Sequence, residues 1–480
     1  MAEKQETLGL SVKKAENFSE WYAEVIQKAD LADYSSVSGC IVFRPDSFQI
    51  WERIQGIFDA KIKALGHKNV YFPLFIPERL LKKESAHIKG FNPEVAWVTH
   101  AGDSKLEERL AIRPTSETII YESYSKWVRS YRDLPLLLNQ WCNVVRWEFK
   151  HAKPFLRTRE FLWQEGHTVH ASREDAWKEV TSILSEYVDL AENFLAIPVI
   201  QGIKTENEKF AGAETTTTLE SLMPDGKALQ MGTSHLLSQD FAKAFEIKFL
   251  DADAKEKFAW TTSWGISTRL IGALIMVHGD DKGIVLPPKI ALNKLVIVPI
   301  LFEDSKQKVL AKANELRAKL SALNPLLDDR DEKSAGWKFN YWELKGIPLR
   351  LELGPKDLEK NQCVLVRRDT GEKTIVSIKE ADARVSELLD AMQKSMFLKA
   401  KKFLDSSIVE SKSLQEFKKA IDSGKMVFSA FCLSDSCEEK IKSETGATAR
   451  AIPFNQKTSA MKCFACGNKA EKKAYFAKSY

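Results

Sequence analysis

From Phe48 onward, apolar residues recur at three- and four-residue spacing: Trp51, Ile54, Ile57, Phe58, Ile62 and Leu65, with Gly66 ending the run. That spacing places them on one face of an amphipathic helix, and the glycine is its stop signal. A short apolar stretch follows, Val70 to Ile76, interrupted by Pro73. Proline brings no N–H to a β-ladder, so this segment reads as a strand at a sheet edge or bulged at Pro73. Leu136 to Phe149 and Phe161 to His170 read as two longer strands around a basic polar loop, Lys150 to Glu160. Asp175 to Phe194 has a helical pattern, and Arg269 to Val277 reads as a buried helix.

The pattern changes at Leu286-Pro287-Pro288. Strand, helix and strand follow over Leu295 to Leu301, Ser305 to Ser321 and Leu326 to Asp328. This alternation marks a small α/β domain with a partly parallel sheet, continuing through Leu349 to Leu353 and Cys363 to Arg368. Three units are expected, over residues 1–288, 289–391 and 392–480.

Length and composition narrow the class. The chain has 480 residues, 44% hydrophobic and 29% charged, which excludes a mostly disordered protein. Its 71 basic and 66 acidic residues leave a net charge of +5, too little to hold nucleic acid by bulk charge. The charge is uneven, because Phe397 to Tyr480 carries 16 Lys/Arg against 9 Asp/Glu. The start of the chain lacks the apolar core of a signal peptide. The apolar runs Leu270 to Val277 and Leu295 to Phe302 are far below the ~18 residues that span a bilayer. A cytoplasmic protein with no membrane partner is expected.

Cys432, Cys437, Cys463 and Cys466 form two close pairs separated by 25 residues, whereas Cys40, Cys142 and Cys363 are scattered. Four thiolates in two pairs suit a tetrahedral Zn²⁺ with no open position, a structural site, and Gly467 fits the tight knuckle after the second pair. Free or redox-active thiols are the alternative.

Other clusters carry candidate chemistry. In Arg146-Trp147-Glu148 the outer residues would share one face of a strand, so Arg146 could meet a phosphate and Glu148 an exocyclic amine. A cross-strand surface salt bridge is the plainer reading. Arg269 opens an apolar helix at its electropositive end, a conflict that a nearby anion would resolve; a solvated arginine is the alternative. In Pro114-Thr115-Ser116-Glu117, Thr115 or Ser116 could cap a helix beginning near Glu117. In Gly232-Thr233-Ser234-His235 the histidine alone reads as a satisfied buried side chain.

Taken in order, the helix and strand with Pro73, the Arg146-x-Glu148 hairpin with Arg157-x-x-x-Phe161, and the helix-starting Arg269 resemble motifs 1, 2 and 3 of class II aminoacyl-tRNA synthetases. Within that class, Pro114 to Glu117, GFNPEVAWVTHAG around Phe91, EKFAGAE from Glu208 to Glu214, LMPDGKALQ and GTSH resemble prolyl-tRNA synthetases. The C-terminal cysteine cluster is similar to the archaeal/eukaryotic type of that class IIa family. The resemblance runs over nearly the whole chain. It implies an α+β catalytic domain with an antiparallel sheet flanked by helices, an α/β anticodon-binding domain and a small α/β zinc-containing C-terminal domain.

The resemblance also implies the chemistry: proline and ATP yield prolyl-adenylate and pyrophosphate, and the prolyl group passes to the 3′ end of proline tRNA. Arg146 would bridge the prolyl carboxylate and α-phosphate, Glu148 would read adenine, and Phe161 and Arg269 would sandwich its ring. Arg157 and Thr158 would meet the triphosphate, and Gln230, Thr233 and Ser267 would complete the ATP site with Mg²⁺ nearby. Thr115 and Glu117 would hold the imino group. Phe91, Trp163 and His235 would wall the proline ring, and Glu165, His167, Ser263 and Gly265 would complete that pocket. Phe339, Glu343, Arg350, Lys356 and Asp357 would read the anticodon. The 68 residues between Phe161 and Gln230 leave no room for a large inserted editing domain. A homodimer is implied, and the terminal Tyr480 would tuck toward the active site.

Two readings compete with this one. The sibling threonine enzyme uses a catalytic zinc held by one Cys and two His, a set missing around Arg146. A non-catalytic synthetase-like RNA-binding protein predicts damage at Arg146, Glu148 or Arg269, and all three residues are intact.

Overall fold

The computed structural model describes residues 8–87, 94–148, 152–456 and 461–480. The first long helix, Pro45–Ala64, starts with proline at its N-terminal turn and buries Ile50, Trp51, Ile54, Phe58 and Ile62. Lys61 and Lys63 in its last turn complement the helix dipole. Phe48 and Leu65, at the ends of the apolar stripe, remain exposed.

The stretch around Pro73 is two strands rather than one. Lys68–Asn69 pairs parallel with Leu138 and Asn139, whereas Phe75–Pro77 pairs antiparallel with Leu110 to Ile112 in a separate three-stranded sheet. Pro73 lies between them and makes no ladder bond, so the chain leaves one sheet there and enters another.

A large sheet carries the catalytic region. Strands Leu136–Val145, Glu160–His170, Trp260–Ser267, Lys227–Leu237 and Ala213–Leu222 pair antiparallel in that spatial order. Helices Arg173–Asp189 and Arg269–His278 pack on it and enclose Tyr187, Trp264, Leu270 and Leu274. Trp264 lies directly over Gly166; a Cβ there would fall 2.1 Å from the indole, so the glycine permits this packing. The strand expected to reach Phe149 ends at Val145, and Phe149 itself lies outside the described residues.

The second unit is a five-stranded sheet ordered Leu326–Leu327, Leu295–Pro299, Leu349–Leu353, Gln362–Arg367 and Lys373–Ser377, parallel at one side and antiparallel at the other. Its closing helix, Ala381–Ser407, runs unbroken past residue 391. Gln393 on that helix donates to the carbonyls of Asn193 and Phe194, fastening it to the catalytic unit.

The C-terminal unit adds to the catalytic sheet. Strand Lys472–Ser479 pairs with Met426–Phe431 and Thr448–Ala451, and its end pairs parallel with Lys227 and Ala228. One sheet therefore runs through both units. Among the described residues, no helix is long and apolar enough to cross a membrane.

Candidate active site

Strand alternation builds the floor. Phe161, Trp163, Glu165 and His167 are each two residues apart on one strand and project to one side. The register sets Glu165, Gly265 and Thr233 in one cross-strand row and His167, Ser263 and His235 in the next. Two rows on three strands thus gather five of the residues expected to hold an amino acid, with Thr233 of the expected ATP site beside them. They line a cavity of about 520 Å³ with Thr115, Glu117, Arg146, Glu148, Gln230, Ser267 and Arg269.

One end of the cavity is acidic and buried. The Thr115 hydroxyl donates to Glu117, and Ser116 donates to Glu165. Ser116 does not cap the Glu117–Trp127 helix by its side chain; its oxygen accepts from Gln140 Nε2 (3.1 Å) instead of from the helix N–H groups. Gln140 Nε2 also donates to Glu165 (2.8 Å), and His167 Nε2 lies 3.0 Å from its other oxygen. Burial pulls His167 down, but Glu165 and the charge of Glu117 outweigh it, and the net shift is upward. Burial, with the charge of His167, pushes His235 down to about 3, so it is a neutral hydrogen-bonding group. His167 Nδ1 and Ser263 Oγ line this end, are buried and have no partner among the described residues. Such atoms are rare in native structures, and a small polar ligand would satisfy both.

The other end is cationic. The expected sharing of a strand face by Arg146 and Glu148 does not hold, because Arg146 follows the last strand residue and Glu148 lies in a turn. Tertiary contacts aim Arg146 instead: its Nε donates to the Pro114 carbonyl (3.1 Å), and its guanidinium lies 5.4 Å from the Phe161 ring centre and 5.6 Å from the Trp163 ring centre. Arg269 donates to the Gln230 carbonyl (3.3 Å). Burial pushes Arg269 down to about 10, and the like charge of Arg146 adds to the effect. Two partly buried guanidiniums, the charge of Arg269 disfavoured by that of Arg146, make a seat for an anion.

Two expected positions fall elsewhere. Arg157 is exposed outside the cavity lining, and Thr158 is buried with its hydroxyl on the Glu160 carbonyl (2.6 Å). Phe91 lies outside the described residues. Conversely, Glu208, Lys209, Phe210 and Thr216 line the cavity although the sequence assigned them no role. The EKFAGAE segment was the available signal, but nothing local shows which way a loop turns. Phe210 lies against His235 with ring centres 4.8 Å apart.

In the second unit, Arg350 is buried and paired with Glu352 (2.9 Å) and Glu343 (3.1 Å), with its guanidinium 4.2 Å from the centre of the Phe339 ring. Lys356 is exposed, and Asp357 accepts the Gly354 N–H at 2.9 Å. In the third unit, the sulfurs of Cys432, Cys437, Cys463 and Cys466 lie within 4.8 Å of one another. The chain ends at this sheet too: Tyr480 Oη donates to Asp225 (2.7 Å), and its ring lies under Lys153 (4.7 Å) and Lys227 (5.2 Å).

An antiparallel sheet with a buried acidic pocket at one end, paired arginines at the other and a separate α/β unit beyond it defines a class II aminoacyl-tRNA synthetase. Residues 97–278 match the tRNA synthetase class II core domain (G, H, P, S and T), and residues 294–388 match the anticodon binding domain. Residues 414–480 match the prolyl-tRNA synthetase C-terminal domain. The chain is similar to a proline--tRNA ligase 2 of Bacillus cereus, 53% identical over 98% of both chains. It is also similar to the proline--tRNA ligases of Lachnoclostridium phytofermentans, 54% identical, and Clostridium botulinum, 52% identical, each over 97% of both chains. The chain belongs to the prolyl-tRNA synthetase family and is an enzyme of the ligase class.

Proposed function

We propose that the protein activates L-proline with ATP and transfers it to proline tRNA. The observation that carries this reading is the cavity's polarity, with Glu117, Glu165 and the unpartnered His167 Nδ1 at one end and Arg146 and Arg269 at the other. The imino group would be held by Thr115 and Glu117, leaving the carboxylate facing Arg146. A carboxylate oxygen attacks the α-phosphorus, the bond to the bridging oxygen breaks and pyrophosphate leaves. Arg146 and Arg269 neutralise charge that grows in this step, and the geometry holds two anions together that would otherwise repel. A ribose hydroxyl of the tRNA then attacks the prolyl carbonyl carbon and AMP leaves. Phe161 and Arg269 would hold adenine between them and Glu148 would accept from its amine, with Gln230, Thr233 and Ser267 on the nucleotide side and Arg157 and Thr158 reaching the triphosphate. Mg²⁺, an oxygen-seeking ion, would ride on the phosphates near Gln230 and Thr233 and neutralise part of their charge.

The cysteine cluster would hold structural Zn²⁺. A tetrahedral ZnS₄ site has sulfurs about 3.8 Å apart; Cys437 and Cys463 are separated by 3.8 Å and Cys432 and Cys466 by 3.7 Å. Phe339, Glu343, Arg350, Lys356 and Asp357 would face the anticodon. A cytoplasmic homodimer is proposed, with units near 1–288, 289–391 and 392–480; the exposed Tyr71 and Phe75 rings beside Pro73 support a partner at that face.

The test is amino-acid-dependent ATP–pyrophosphate exchange with all standard amino acids. Exchange with proline is expected; exchange with another amino acid and not proline would overturn the substrate, and none with any would overturn the activity.

A further inference from the structure

The C-terminal unit touches the substrate cavity through the segment that walls it. Residues Lys204 to Gly212 leave strand Ile200–Ile203 and bring Glu208, Lys209 and Phe210 to the cavity. The stem of this segment is held from the C-terminal unit at three points. Ile203 and Ile452 exchange both backbone hydrogen bonds at 2.9 Å. The approach requires Gly202, where a Cβ would lie 2.5 Å from the Ile452 carbonyl oxygen. Lys204 and Arg450 converge on the buried Glu220 at 2.7 and 3.0 Å. Finally, the buried Glu438 accepts from the Thr205 hydroxyl (2.8 Å) and the Asn207 amide (3.3 Å).

The third contact has a short path to the pocket. The Thr205 carbonyl accepts the N–H groups of Glu208 (3.2 Å) and Lys209 (3.0 Å), so one tight turn joins Glu438 to the cavity wall. The next residue, Phe210, donates its N–H to Thr216 Oγ1 (2.9 Å), which lies 2.9 Å from His235 Nδ1. Glu438 follows the cluster residue Cys437 directly on the helix Asp435–Thr445.

We propose that Glu438 is a positioning residue for proline binding: through Thr205 it sets the turn that holds Phe210 against His235, so proline affinity depends on how the cysteine-cluster unit is seated. This rests on the reading of the cavity as the proline site.

The test uses the full chain, with exchange kinetics varied separately in proline and ATP and with metal content measured alongside. Thr205→Val keeps the volume and removes the donor. It is expected to raise KM for proline about tenfold, the effect of one ordinary hydrogen bond, with kcat and KM for ATP within about twofold of wild type. Glu438→Ala is expected to do the same, and the double variant no more than the larger single effect. Glu438→Gln keeps an acceptor and is expected to stay near wild type at unchanged metal content. Unchanged proline KM in Thr205→Val, or a fall in kcat with KM fixed, would overturn the proposal. Should Glu438→Ala not fold, Thr205→Val and Glu438→Gln decide it. A wild-type enzyme with no proline-dependent exchange would remove the underlying reading, and this inference with it.

Discussion

Glu165 and His167 sit two residues apart on one strand, both buried, with Glu165 Oε2 3.0 Å from His167 Nε2. Burial alone disfavours charge on both, yet Glu165 is held below the usual carboxylate value and His167 above the usual imidazole value. The raised His167 contributes stability that is full below about pH 6.5 and is lost as pH rises through its folded value. The lowered Glu165 contributes stability that is full above about pH 4.5 and is lost as pH falls. The charged pair is strongest between those limits, at the floor of the pocket.

Glu165→Gln removes the hydrogen-bonded charge that holds His167 up, leaving burial opposed only by the charge of Glu117. His167 is expected to titrate at lower pH in this variant than in the wild type, as read from its ring resonances. Identical titration in both would show that Glu165 does not set it.

Arg146→Ala and Arg269→Ala each remove a cation from the anion seat. Each is expected to lower proline-dependent exchange by about 10²–10³-fold, typical for loss of a preorganised charge-stabilising donor. Full exchange in Arg146→Ala would remove that residue from the reaction.

Glu220 is the common acceptor of Lys204 and Arg450 in a fully buried triad. Burial opposes its charge, but the two cations win and hold it below its usual value. Its contribution is therefore full above about pH 4.5 and fades as acid protonates it. Glu220→Gln leaves two buried cations short of a partner and is expected to cost about 3–5 kcal/mol, measured as a lower denaturation midpoint. A midpoint equal to wild type would mean that water reaches the triad.

Cys463→Ser removes one buried ligand of the proposed zinc site. Metal affinity is expected to fall by about 100-fold or more, since even outer partners of a metal ligand cost about 10–100-fold. Purified wild-type protein is expected to carry one zinc per chain; a metal-free protein with four titratable thiols would refute the site.

Phe339→Ala removes the ring on which Arg350 packs, in the unit proposed to read the anticodon. Aminoacylation of proline tRNA is expected to fall at least about tenfold while tRNA-independent exchange stays at the wild-type rate. An equal fall in both would place the residue in the stability of the whole chain.

Much of this protein is local and so lay open in the sequence. Alternation along Phe161 to His170 specified which side chains share a face, and apolar spacing specified the Pro45–Ala64 and Arg269–His278 helices. The spacing of Cys432, Cys437, Cys463 and Cys466 specified a cluster whose sulfurs do converge. Tertiary structure decided what depends on competition among distant partners. It engaged the Ser116 hydroxyl with Gln140 and Glu165 rather than with the helix end, and it split the segment around Pro73 between two sheets. It aimed Arg146 from a turn rather than a strand, and it committed Arg350 to Glu343 and Glu352. It also added the last strand of the chain to the catalytic sheet and brought Glu438 to Thr205, 233 positions away. Periodicity fixes a side chain's face relative to its own backbone. Which buried acceptor a donor finds, and which strand edge is free to pair, is settled only when the remote segments pack.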